Sequence, residues 1–336
     1  MPQHGHNRPR RGSMGFWPRK RASRIYPRIK SWPKIEEIKP VAFAGYKVGM
    51  THIFIIDNRS KSSTRGSEII VPVTVIEVPP LKVAGIRLYK LSGDGYKTLT
   101  EVWSTNIDPR IKRKVSTFSI KDADKKIERI ENELLSEISL IKLIVHTQPW
   151  VAGIRKKTPE IFEIPVGGDN IEEIWDYAKS KLGQNLLINE IFSEGEQVDV
   201  IAVTKGKGFQ GEVKRFGVKI YPKPHKHDKR ARGTQSKGAW GYHRILPTTP
   251  MPGQMGYHRR TEYNKWLLKI SDNPDEINPK SGWPHYGLVR STWIAIKGSV
   301  PGPAKRLIII RKAIRPNNSI PTEAPKVTHI SLHAKN

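Results

Sequence analysis

The sequence predicts a mainly β fold, a closed barrel or sandwich interrupted by a small α/β insertion and carrying long irregular basic extensions. Three observations predict it. Short β-branched runs recur with turn residues between them, and one stretch between the third and fourth runs switches to helical periodicity. The excess of positive charge falls entirely in segments rich in Gly and Pro.

The runs are VAFAGYKVGMTHIFII (41–56), EIIVPVTVIEV (68–78), AGIRLYKL (84–91), QVDVIAVTKG (197–206), STWIAIKG (291–298) and AKRLIIIRKAI (304–314). Pro72 offers no N–H to a ladder, so an edge or bulge is expected there. After the third run, DADKKIERIENELLSEIS places Ile127, Ile130, Leu134, Leu135 and Ile138 on one helical face. A strand-like IKLIVHT (141–147) follows. Asn170 with Glu173 three residues on then forms a capping box ahead of Ile171, Ile174, Trp175 and Ala178, with Gly183 as the stop. An α/β insertion over roughly 95–185 therefore interrupts the β-rich body.

With 336 residues and 37% apolar content the chain can bury a core. No stretch approaches the length of a membrane span, and no apolar signal core follows MPQHGHNRPRR, so an intracellular protein with no membrane partner is expected. The absence of cysteine excludes disulfides, thiolate zinc sites and cysteine nucleophiles.

The formal charge is +28, and its placement matters more than its size. Residues 1–34 carry ten basic and no acidic residues, residues 204–260 fourteen and two, and residues 301–336 seven and one; the remainder is balanced. Localised charge of this kind is a footprint for a polyanion, nucleic acid first. Phe16, Trp17, Tyr26 and Trp32 in the first segment and Trp240, Tyr242 and Tyr257 in the second interleave aromatic rings with the cations. Solvating tails are poor in such rings, which suit unstacked RNA bases.

Catalytic readings fail on inspection. Gly206 to Gly211 spell G-x-G-x-x-G after a strand-like run, but Gly217, Pro222 and Pro224 stop the long helix a dinucleotide turn requires. His225, His227, His243 and His258 are irregularly spaced among cations that would repel a divalent ion. No metal or cofactor is expected, and the histidines suit bases or phosphates.

Several stretches together resemble one family: HGHNRPRRGSMGFWPRKRA at the start, AGYKVGMTHI (44–53), TKGKGFQGEVKRFGVK (204–219), KGAWGYH (237–243), PGQMGYHRRTEYN (252–264) and GSVPGPAKRLIIIR (298–311). In order along almost the whole chain, they are similar to the universal large-subunit ribosomal proteins of the L-three family in its archaeal and eukaryotic form. That resemblance implies a six-stranded closed barrel of the kind shared with translation elongation factors. It also implies a tryptophan-bearing finger that reaches toward the peptidyl-transferase centre.

The expected layout follows. Residues 1–40 form a basic RNA-penetrating extension, 41–94 the first part of the barrel, 95–185 the insertion and 186–220 further barrel strands. Residues 221–262 form the finger, 263–315 complete the barrel and 316–336 are a tail. Phosphate contacts are expected from Arg8, Arg10, Arg11, Arg19, Arg21, Lys205, Lys207, Arg215, Arg230, Arg232, Arg259 and Arg260. Phe16, Trp17, His225, His227, Trp240, Tyr242, His243, Gln254, Tyr257 and His258 complete the RNA-binding set, Gln254 in the return limb between Gly253 and Gly256. The expected protein is a structural, non-enzymatic constituent of the cytoplasmic ribosome, partnered by large-subunit ribosomal RNA and neighbouring ribosomal proteins and forming no homo-oligomer. The alternatives are an RNA-modifying or nucleotide-using enzyme with basic substrate arms, and a chromatin-type DNA binder.

Overall fold

The computed structural model of the chain describes residues 11–116, 123–220, 231–233, 237, 241 and 243–332. It divides into two compact units, Ile25–Ala202 with Arg260–Asn336, and Met1–Arg24 with Val203–Arg259. Its strands in chain order are β1 (Ala42–Ile56), β2 (Glu68–Glu77), β3 (Leu81–Ser92), β4 (Gly95–Trp103), β5 (Leu140–His146), β6 (Ile161–Pro165), β7 (Asn185–Leu186), β8 (Gln197–Val203), β9 (Phe209–Gln210), β10 (Gly253–Gln254), β11 (Arg259–Ser271), β12 (Trp293–Lys297), β13 (Leu307–Lys312) and β14 (Val327–Ile330). The α-helices are α1 (Ala123–Arg129), α2 (Ile171–Ser180) and α3 (Glu212–Phe216).

The larger unit is mainly β. One sheet has the order β13-β8-β11-β12-β2-β1-β14, and β1 also pairs with β13, so six strands follow one another in a ring with β14 appended. Length lets β1 serve three neighbours. Ala42 to Tyr46 face β13, Tyr46 to Ile56 face β2, and Ile53 to Ile55 face β14, all antiparallel. The β1–β2 register shifts between Lys47 and Gly49, a bulge that bends a long strand. Gly49 is required there, because a Cβ would lie 2.5 Å from the Trp283 ring.

Five of the six runs read as strands of one body enter this sheet. The third does not: AGIRLYKL lies in β3, which pairs with β4, β5 and β7 in a second sheet of order β4-β3-β5-β6. Its place in the ring is taken by β11, RRTEYNKWLLKIS, whose charged residues hide the two-residue period. Pro72 sits in an interior strand of the ring, but where the β12 ladder has ended: β12 pairs as far as Val73, and the Pro72 carbonyl accepts from Gly298 N at 2.8 Å. Its missing N–H removes no ladder bond from that side.

The amphipathic stretch after the third run is helical but not uniform. α1 passes into a π turn over Ile130–Leu134 and then a 3-10 turn over Leu135–Glu137. Ile130 and Ile138 are buried, and Glu131 accepts from Nε1 of the buried Trp175 on α2 at 3.2 Å. Asn170 caps α2 by accepting from Glu172 N at 3.2 Å, and its amide donates to Glu173 Oε1 at 3.0 Å. The box thus closes side chain to side chain.

Two clusters form most of the core of this unit. The larger includes Phe43, Ile86, Leu143, Trp175 and Ile308, with Tyr26, Ile29 and Trp32 packed against it. Tyr26 and Trp32 therefore serve the protein interior, not a base-stacking arm. The second cluster is built round Trp266, Trp283 and Trp293. Each indole N–H donates to a carbonyl, of Gly195, Ile277 and Asn273 respectively, as buried tryptophan requires.

The smaller unit holds β9 paired antiparallel with β10, and the five-residue α3 stopped by Gly217 at φ +65°. One helical turn is far short of a dinucleotide-binding helix.

Candidate nucleic-acid interface

The smaller unit carries 20 Lys and Arg against two acidic residues, a net +18 of the chain's +28. Repulsion of that density has to be offset within the unit, and the offset is visible in its hydrogen bonds.

Two limbs of chain run together at its root. Thr204 N donates to His258 O (3.0 Å), Lys207 N to Met255 O (3.0 Å), Met255 N to Gly208 O (2.9 Å) and Tyr257 N to Lys205 O (3.3 Å). The limbs come this close only because residue 256 is glycine. A Cβ there would stand 2.1 Å from the Lys205 carbonyl oxygen, and φ is +70°. Gln254 turns inward, its amide donating to the Met255 and Gly256 carbonyls at 3.2 and 3.0 Å.

Residues 11–24 lie along this root. Ala22 N donates to Tyr257 O at 2.8 Å, and the buried His258 donates from Nδ1 to Lys20 O at 2.8 Å. Arg215 donates to three carbonyls: Nε to Gln254 O (3.0 Å), Nη1 to Met251 O (2.7 Å) and Nη2 to Arg19 O (3.4 Å). Arg19 donates to Arg215 O (3.3 Å) and Ser13 O (3.2 Å). Its guanidinium lies 4.6 Å from the Phe216 ring centroid and 5.8 Å from that of Trp17, and the two rings stack at 6.1 Å. Burial, followed by the Arg19 charge, pulls the Arg215 pKa below its ordinary value. Carbonyls and π faces supply here the negative potential that carboxylates would supply elsewhere.

The expected RNA-binding residues fall into three groups. Arg11, Phe16, Arg21, Lys205, Lys207, Arg232, His243 and Arg259 are exposed. Trp17, Arg19, Arg215, Gln254 and Tyr257 are half-buried and His258 buried, all within the root described above; Arg260 is half-buried in the larger unit. Arg8, Arg10, His225, His227, Arg230, Trp240 and Tyr242 lie outside the described residues. The root has packing of its own: the Phe216 ring and main-chain carbonyls seat Trp17 and Arg19. Sequence reasoning missed Phe216, which stacks on Trp17 beneath Arg19, and Phe209, 75% exposed in β9. A ring set among Lys205, Gly206, Lys207 and Gly208 was the available signal for Phe209. Among the described residues no three His, Asp or Glu side chains gather as a metal site, and no helix is long and apolar enough to cross a membrane.

The comparisons with known proteins agree with one another. The sequence model of the family described as ribosomal protein L3 matches residues 1–333. A large ribosomal subunit protein uL3 from Nanoarchaeum equitans is 50% identical over 339 residues, covering 100% of both chains. The uL3 proteins of Methanocaldococcus jannaschii and Archaeoglobus fulgidus are each 48% identical, over 98% and 93% of both chains respectively. A match from end to end at half identity, on a chain whose charge is gathered as described, places it plainly: it belongs to the ribosomal protein L3 family.

Proposed function

We propose that the chain is a structural constituent of the large ribosomal subunit that binds large-subunit ribosomal RNA through its smaller unit and extends residues 221–262 toward the peptidyl-transferase centre. It is a ribosomal protein and not an enzyme. The observation that carries the reading is the net +18 gathered in one small unit of a chain from this family. Arg11, Arg21, Lys205, Lys207, Arg232 and Arg259 present their charges at its surface and would contact phosphates. Arg215 and Arg19 hold the root that carries them. Trp240 would pack on RNA at the finger tip.

In the same reading the cyclic order of β13, β8, β11, β12, β2 and β1 is the six-stranded closed barrel of the translation-protein type. Neighbouring ribosomal proteins complete the surroundings, in the cytoplasm, with no second copy of the chain.

The test is sedimentation of the full chain with large subunits. Retention after a high-salt wash is expected, and recovery in the ribosome-free supernatant would refute the proposal. For a cognate RNA fragment, replacing Arg8, Arg10 and Arg11 by Gln is expected to flatten the salt dependence, each lost phosphate contact removing roughly 0.7–0.9 from the slope.

A further inference from the structure

We propose that Tyr263 and Arg315, in the larger unit, form a second RNA site that stacks one unpaired base and neutralises a phosphate beside it. The site rests on the RNA-binding reading above but belongs to the larger unit, so none of its residues is part of the basic root.

Tyr263 stands in β11 just before the buried Trp266, Leu267 and Leu268, yet it is 51% exposed. The guanidinium carbons of Arg311 and Arg315 lie 5.9 and 5.8 Å from its ring centroid, so that half its surface stays open with both cations in place. Those two arginines differ. Arg311 is buried and spends its charge on Asp199, with Nε at 3.2 Å and Nη2 at 2.9 Å from Oδ2, while Arg315 is exposed.

The same carboxylate fixes the backbone on both sides of the platform. Asp199 Oδ1 accepts from Asn264 N at 3.1 Å and Oδ2 from Ile314 N at 3.3 Å. Asn264 follows Tyr263, and Ile314 precedes Arg315. Asn264 also holds φ +52°, a left-handed conformation that is unfavourable for a residue with a side chain. Arg311 Nη1 donates to Ser31 O at 2.6 Å and Ser31 Oγ at 3.3 Å, which holds this guanidinium from a second side.

A buried ion pair and a left-handed asparagine both cost stability relative to an apolar core. Here they hold an aromatic ring and a cation rigidly at a surface, where neither contributes to the interior. A π face next to a guanidinium matches a nucleobase with its phosphate, and preorganisation lowers the entropy lost on capture.

The experiment binds the full chain to fragments of large-subunit ribosomal RNA and irradiates the complex to cross-link stacked bases. A nucleotide adduct on Tyr263 is expected by mass spectrometry. Tyr263→Leu should weaken binding by about tenfold with no change in salt slope, as loss of one stacked base implies, and Tyr263→Phe should restore it. Arg315→Gln should lower the slope by roughly 0.7–0.9. Tight binding with no adduct on Tyr263 and unchanged affinity of Tyr263→Leu would overturn the platform and leave the proposed function standing. Failure of the unaltered chain to bind any fragment would overturn both.

Discussion

Arg19 and Arg215 each donate to the other's main-chain carbonyl, at 3.3 and 3.4 Å, with the Phe216 ring beneath both guanidiniums. Two like charges are thereby held in reciprocal contact by neutral acceptors. Arg215 acts on the root of the basic unit from within.

Arg215→Ala should therefore loosen that root. It removes donors from three carbonyls, worth about 1–2 kcal/mol at a half-buried site. Amide exchange should quicken at Ala22 and Met255 in the free protein while the thermal midpoint of the larger unit stays put. The salt slope for RNA should not change; a drop of roughly 0.7–0.9 would mean Arg215 touches phosphate instead.

Gly256→Ala brings a methyl to 2.1 Å from the Lys205 oxygen at a positive φ. The two limbs must part, at a cost of about 2 kcal/mol or more. Loss of exchange protection at Thr204, Lys207 and Tyr257 is the expected readout.

Glu77 is a buried carboxylate that accepts from Arg290 N, Ser291 N, Ser291 Oγ and the Tyr286 hydroxyl. Burial raises its pKa despite these donors. A carboxyl with a raised folded pKa binds its proton more tightly folded than unfolded, so it favours the fold at low pH. That contribution fades as pH rises from the free glutamate value, about 4.3, through the raised one. Urea midpoints of Glu77→Gln, compared with the unaltered chain across this window, should show a shallower decline.

Asp199→Ala leaves the Arg311 guanidinium buried without its anion and frees two main-chain N–H groups. A loss of about 3–5 kcal/mol in denaturant unfolding is expected. The double change Asp199→Leu with Arg311→Met should cost less than the sum of the two single ones, since it leaves no charge unpaired.

Much of this molecule was legible in its residues. Runs such as EIIVPVTVIEV declare a strand because β-branched side chains suit a pleated surface, and Asn170 declares a helix start because its side chain replaces a missing acceptor. β11 escaped notice because Arg259, Glu262 and Lys265 break its apolar alternation. AGIRLYKL announced a strand but not its sheet, since pairing depends on partners distant along the chain, such as Ile141 opposite Leu88. Charge marked the segments that gather in the smaller unit. It did not distinguish an arginine that faces solvent from one like Arg215 that faces carbonyls, because both are drawn from the same basic stretch.

The lacing of Thr204 to His258 and of Lys207 to Met255 has an evolutionary corollary. Chain inserted or deleted between Gly217 and Met251 would lengthen or shorten the excursion without shifting any of those pairs. Reach and anchorage can therefore drift independently, and relatives could adapt one to a different cavity while the other stays constant.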